Sequence, residues 1–230
     1  MHNIGAVFGK QWKETLKNKT VFIQFVLFPV MTLIMDRAVK IEGMPERFFV
    51  NLFAVMYIGM APLTAMASIL SEEKEKNTLR VLMMSDVKPH EYLIGIGGYV
   101  WLVCMFGAGV ICAVGAYSLQ EGVAFMGIMA TGFLVSLLAG AAIGTWSRTE
   151  MMASSVAIPV MMIAAFAPML SYFNTAVARI AKFVYTEQIG ILLGRGGGMA
   201  PDAENICIIA GNMLVAALLF VAAYKRSRLA

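Results

Sequence analysis

Six long runs of this chain contain no Asp, Glu, Lys, Arg or His: residues 21–35, 48–70, 93–117, 123–146, 151–173 and 206–224. Five of them hold 19 to 25 residues, matching the ~20 that a helix needs to cross the hydrocarbon core of a bilayer. The first holds 15. Thr20 extends it, and Lys17 and Lys19 can snorkel to the headgroups from a short span. Lipid offers the backbone no hydrogen-bond partner, so each run must close its own bonds as a helix. The pattern predicts an all-α membrane protein with six transmembrane helices.

Three further segments keep a helical period but carry charge. In residues 3–17, Ile4, Phe8, Trp12 and Leu16 repeat every four positions, with Lys10, Lys13 and Lys17 on the polar side. That predicts an interfacial helix over residues 1–19 whose basic face meets anionic lipid. Residues 71–92 form the most charged stretch, although a turn between spans needs only a few residues. There Leu79, Leu82 and Met83 share one face while Glu72, Glu75 and Lys76 share another, predicting an amphipathic helix over 72–84. In residues 174–204, Asn174 is an N-cap candidate, and Val177, Ile180 and Val184 lie opposite Arg179 and Lys182. The glycine run 194–198 and Pro201 then break the period, so one or two helices are expected on or dipping into the outer leaflet.

Composition narrows the class. Sixty per cent apolar residues exceed, and 14% charged residues fall short of, what a soluble domain of this length carries, and 230 residues make one membrane domain. The net charge of +4 reports flanks at the membrane face. With the N-terminus inside, 12 Lys and Arg fall on that side and 6 on the other. This predicts a multi-pass protein of the cell membrane with both termini cytoplasmic and segment 71–92 inside. No cleavable signal peptide is expected. Cys104, Cys112 and Cys207 sit in apolar runs without metal spacing and read as packing residues. Pro29, Pro62, Pro159 and Pro168 should kink their helices, and the two in the fifth run suggest a broken or mobile helix near the outer leaflet. The Gly140–Gly144 pair fits close packing within the chain or a subunit interface. Gln24, Asn51 and Asn212 are expected to hydrogen-bond between helices.

Glu73-x-Glu75-x-x-Thr78-Leu79-x-x-Leu82-x-x-Ser85 resembles the signature of the ABC-2 (type V exporter) permeases, which follows their second membrane helix. Asn77 stands where that family has Gly, Asp86 where it has Pro, Pro89 comes three residues late, and Ile96 occupies a position often held by Lys. The resemblance implies that Glu73, Glu75, Thr78, Leu79, Leu82 and Ser85 belong to a cytoplasmic coupling helix docking on a separate ATPase subunit. It also implies two permease copies, a homodimer or a pair with a sister permease, working with two ATPase copies. Exoplasmic re-entrant helices between spans five and six are a further trait of that family.

The residues agree with a permease that carries no ATP site. Gly5 to Lys10 has one residue too few between its glycines for a phosphate loop, and Gln11 follows where Ser or Thr is needed. ATP and magnesium are therefore expected on the partner, and no cofactor on this chain. An ion-coupled transporter or channel would place ionisable groups inside the membrane, and the six runs have none. An embedded enzyme would need a catalytic set, yet His2 and His90 lie outside the runs, with no HExxH or GxSxG. No basic–aromatic platform for nucleic acid occurs. The expected cargo is lipophilic or amphipathic, such as a drug or antimicrobial peptide, with a sodium-exporting permease, or an ion-coupled transporter or channel, as the alternative.

Overall fold

The computed structural model describes residues 2–17, 19–39, 43, 45–76, 78, 89–195 and 202–227. Among them are nine helices: α1 (His2–Lys17), α2 (Lys19–Ala38), α3 (Phe48–Glu75), α4 (Pro89–Val114), α5 (Leu119–Trp146), α6 (Glu150–Ser171), α7 (Thr175–Ala181), α8 (Tyr185–Gly194) and α9 (Ala203–Arg226). Six of these, α2 to α6 and α9, are long and apolar enough to cross a membrane. The predicted all-helical, six-span architecture is therefore present.

α3 is the centre of the bundle. It packs against α2, α4, α5, α6 and α8, and 78% of its spanning window is buried, against 11% for α9. Small residues allow this crowding. A Cβ at Gly140 on α5 would lie 2.3 Å from the Leu63 carbonyl oxygen, and one at Gly59 on α3 would lie 2.8 Å from the Ala164 backbone of α6. Only glycine permits backbones to meet so closely. The Gly140–Gly144 pair thus packs within the chain, against α3.

The prolines are accommodated without breaking any helix. α6 runs unbroken through Pro159 and Pro168, unlike the broken helix that the sequence suggested. A proline at position i frees the carbonyl at i−4, and two of these carbonyls find side-chain donors. The Thr186 hydroxyl of α8 donates to Ala164, four before Pro168, at 2.6 Å. The Ser136 hydroxyl of α5 donates to Ile58, four before Pro62, at 2.6 Å. Both side chains are fully buried, so neither of these freed carbonyls is left bare in the apolar core.

Helix ends also extend past the apolar runs. α2 reaches Ala38, taking in Asp36 and Arg37. α5 begins at Leu119 because Ser118 and Glu121 form a capping box, with Ser118 accepting the Glu121 N–H at 3.3 Å. Asn174 is the N-cap expected of it, accepting from Ala176 and Val177 at 2.9 and 3.3 Å. The described residues of segment 174–204 include two short helices, α7 and α8, and α8 is wedged against α3, α5, α6 and α9, burying Ile189, Leu192 and Leu193. Of the three expected interhelical bonds, that of Gln24 is present, with Thr64 donating to it at 3.1 Å. Asn51 and Asn212 instead bond to connecting segments: Tyr117, between α4 and α5, donates to Asn51 at 2.9 Å, and Asn212 donates to the carbonyl of Phe183, between α7 and α8, at 2.9 Å.

Candidate functional site

The charged motif begins inside α3. Residues 71–75 continue this helix from the membrane span and do not start a separate one. Consecutive helical residues point about 100° apart, so Glu73, Lys74 and Glu75 reach three different neighbours. Each makes a different kind of bond.

Glu73 turns inward, with 6% of its surface exposed. Lys10 of α1 pairs with its carboxylate at 2.7 Å. Thr78 donates its hydroxyl to the same carboxylate and to the Glu73 carbonyl, each at 3.1 Å. A carboxylate this buried is tolerable because a cation and a hydroxyl meet it. Lys74 reaches across to α5, where its ammonium donates to the carbonyls of Thr145 and Ser147. These lie at the C-terminal end of the helix, whose last carbonyls lack intrahelical partners and carry the negative end of the dipole. Glu75 serves the opposite kind of end. Its carboxylate accepts the Glu150 N–H, the first in α6, at 2.7 Å, where a negative charge is favoured. Thr149 accepts from Met152 at 3.2 Å and completes that cap. One helical turn therefore fastens α3 to α1, α5 and α6.

Glu72 faces outward and pairs with Lys76 four residues on; its carboxylate pushes the Lys76 ammonium above its ordinary range. A cavity of about 280 Å³ lies beside this cluster, lined by Lys10, Glu14, Thr15, Glu73 and Thr78. Of the six motif residues, Glu73, Glu75 and Thr78 are thus placed, the first and third in direct contact. Leu79, Leu82 and Ser85 lie outside the described residues, as does most of the predicted 72–84 helix.

Lys10 and Lys74 had no assigned part in the motif. Lys10 was expected to face lipid headgroups; it meets Glu73 and, at 3.6 Å, Glu14. The buried line of α1 is Val7, Gln11 and Thr15, one position ahead of the Phe8–Trp12 line. That places Lys10 toward α3 and leaves Trp12 52% exposed. The opposite charges of Lys10 and Glu73 were the signal available for pairing them, but α1's rotation was needed to use it.

A second feature opens from the same end. A groove of about 260 Å³ runs between α2, α3 and α6, with Leu27, Phe28, Met60, Ile158 and Met161 among its walls. A polar line crosses it: Gln24, Thr64, Ser68 and Glu150, with Ser68 donating to Glu150 at 3.0 Å. Among the described residues no group of three or more His, Cys, Asp or Glu is placed to hold a metal ion. The three cysteines are free thiols.

Comparison with known families gives one match over nearly the whole chain. A family model described as ABC-2 family transporter protein matches residues 4–224. Comparison with curated proteins returned no match.

Proposed function

Because the chain belongs to the ABC-2 family of transporters, we propose that this multi-pass permease exports a lipophilic or amphipathic compound, such as a drug or antimicrobial peptide. ATP and magnesium act on a separate ABC ATPase, the partner that family membership implies. Two permease copies face one another, and the α2–α3–α6 groove of each forms half of the path. Its walls are mainly apolar, which suits such a cargo. The termini and the α3 tail face the cytoplasm, in line with the excess of Lys and Arg on that side.

The observation that carries the reading is the triple fastening at Glu73, Lys74 and Glu75. The motif residues that follow are covalently joined to this turn. A push delivered by the ATPase there reaches α1, α5 and α6 together, because rigid packed elements move as units. Leu79 and Leu82 are the proposed anchors on the ATPase, as apolar positions of a helix lying in a groove. Leu79→Asp should abolish both transport and copurification of the ATPase while the permease still reaches the membrane. If association and transport both survive that change, the coupling role is wrong.

A further inference from the structure

The end of the bundle opposite the α3 tail holds a separate cavity of about 220 Å³. Four helices line it: α3 through Asn51 and Val55, α6 through Pro168 and Ser171, α7 through Ala178, and α8 through Glu187 and Ile191. Tyr172, the cap residue of α6, completes the wall. Most of that wall is hydrocarbon. Glu187 supplies its carboxylate.

This carboxylate sits in the first turn of α8, an end that favours negative charge, but no cation meets it among the described residues. Ser171 lies 2.9 and 3.0 Å from its two oxygens. The same hydroxyl is 2.7 Å from the Pro168 carbonyl, and one proton cannot serve all three acceptors at once. Among the described residues Glu187 enters no ion pair. Arg47 at this end is engaged by Glu121 at 3.4 Å and by the Tyr117 ring at 4.3 Å. Arg179 on α7 and Lys182 at its C-terminal cap are exposed. Burial pushes the Glu187 carboxyl above its ordinary range, and the Ser171 hydroxyl offsets only part of that.

A half-buried anion in an apolar cavity favours a cation that brings its own hydrocarbon. Calcium does not suit the place: it takes six to eight oxygen ligands, and one carboxylate with one hydroxyl and one amide falls short. An ammonium needs a single counter-charge and a few acceptors. Glu187 provides the charge, Ser171 Oγ retains lone pairs, and the Tyr172 ring adds a face that attracts cations. The volume lies below the roughly 300 Å³ at which drug-sized sites begin, so a small amine, or the head of a larger one, fits.

We propose that this cavity binds the ammonium group of an organic amine, with Glu187 as counter-charge and Pro168, Tyr172 and Ile191 against its hydrocarbon. The assignment does not depend on the export reading, since it concerns binding to the permease alone, without ATPase or nucleotide. The test uses the full chain in lipid nanodiscs, with benzylamine as probe and benzyl alcohol as its uncharged counterpart. The native protein should bind the amine at least about tenfold more tightly than the alcohol, the scale set by losing one partner of a charge pair. Glu187→Gln keeps an acceptor for Ser171 and should reduce the amine to the level of the alcohol. A native protein without that preference, or a variant that retains it, would overturn the assignment. A second measurement leaves Glu187 in place: Ile191→Cys, with Cys112 and Cys207 changed to Ser, is labelled with a maleimide. Benzylamine should slow labelling and benzyl alcohol should not; equal rates with and without the amine would count against the site.

Discussion

Glu73 and Glu187 are carboxylates at opposite ends of one bundle, and among the described residues only the first meets a cation. The charges around Glu73 are engaged within the fold, where Lys10 neutralises it, Lys74 caps α5 and Glu75 caps α6. Around Glu187 there is a serine hydroxyl, an amide and hydrocarbon. The difference fits the role we propose for each end. Paired charges and capped helix ends fix relative positions and favour transmission of force. An acid left without a base keeps a share of its interaction energy for something outside the chain.

The largest effect that would sharpen this contrast comes from Lys10→Met. It leaves Glu73 buried with only a hydroxyl, and breaking a buried pair costs about 3–5 kcal/mol. Lys10 is 31% exposed, so water recovers part of that, and we expect a loss of about 2–3 kcal/mol, seen as a lower Tm in nanodiscs. A Tm within a degree of native would mean that the two ends do not differ in kind. Lys74→Met should come next. It strips a donor from two carbonyls at the end of α5, each such loss costing about 1–3 kcal/mol when no water replaces it, and hydrogen exchange in residues 141–147 should quicken.

The smallest effect belongs to Glu187→Gln, expected within about 0.5 kcal/mol of native at neutral pH. Its signature is a slope. The folded carboxyl titrates above its ordinary value because of burial, so the folded state holds its proton more tightly than the unfolded state does. The resulting stabilisation is full below the ordinary carboxylate range and is lost as pH rises through the raised folded value. Glu187→Gln should flatten Tm against pH over that interval. A native profile already flat there, or one rising with pH by an amount the variant removes, would break the comparison.

Much of the architecture could be read from periodicity, because helices in lipid have few alternatives. The six spans follow from runs free of charge, and the Asn174 cap from one residue type beside a helical stripe. Where boundaries moved, polar residues were part of the helix. Asp36 and Arg37 sit where α2 can reach the headgroup layer, and Ser118 with Glu121 begins α5 ahead of its first long apolar run. The site was less legible. Glu73 could be assigned to a motif by its spacing, but its inward orientation depends on α1, whose Lys10 is 63 residues away. Lys74 reads as one more charge until the end of α5 lies beside it. Glu187 gave no periodic signal at all, since only the meeting of α3, α6, α7 and α8 turns it into the acid of a cavity.

The hydroxyls that cover the proline-freed carbonyls have a consequence for how the chain enters the membrane. Spans are inserted in order from the N-terminus, yet the Ile58 carbonyl waits for a donor 78 residues downstream, and the Ala164 carbonyl for one 22 residues downstream. Until α5 arrives, the second span carries a bare acceptor at membrane depth. Until α8 folds back, the fifth span does too. Early spans are thus held short of completion during synthesis, and only the arrival of later segments closes the bundle. A nascent chain halted before Ser136 should stay within reach of the insertion machinery, for want of a single hydroxyl.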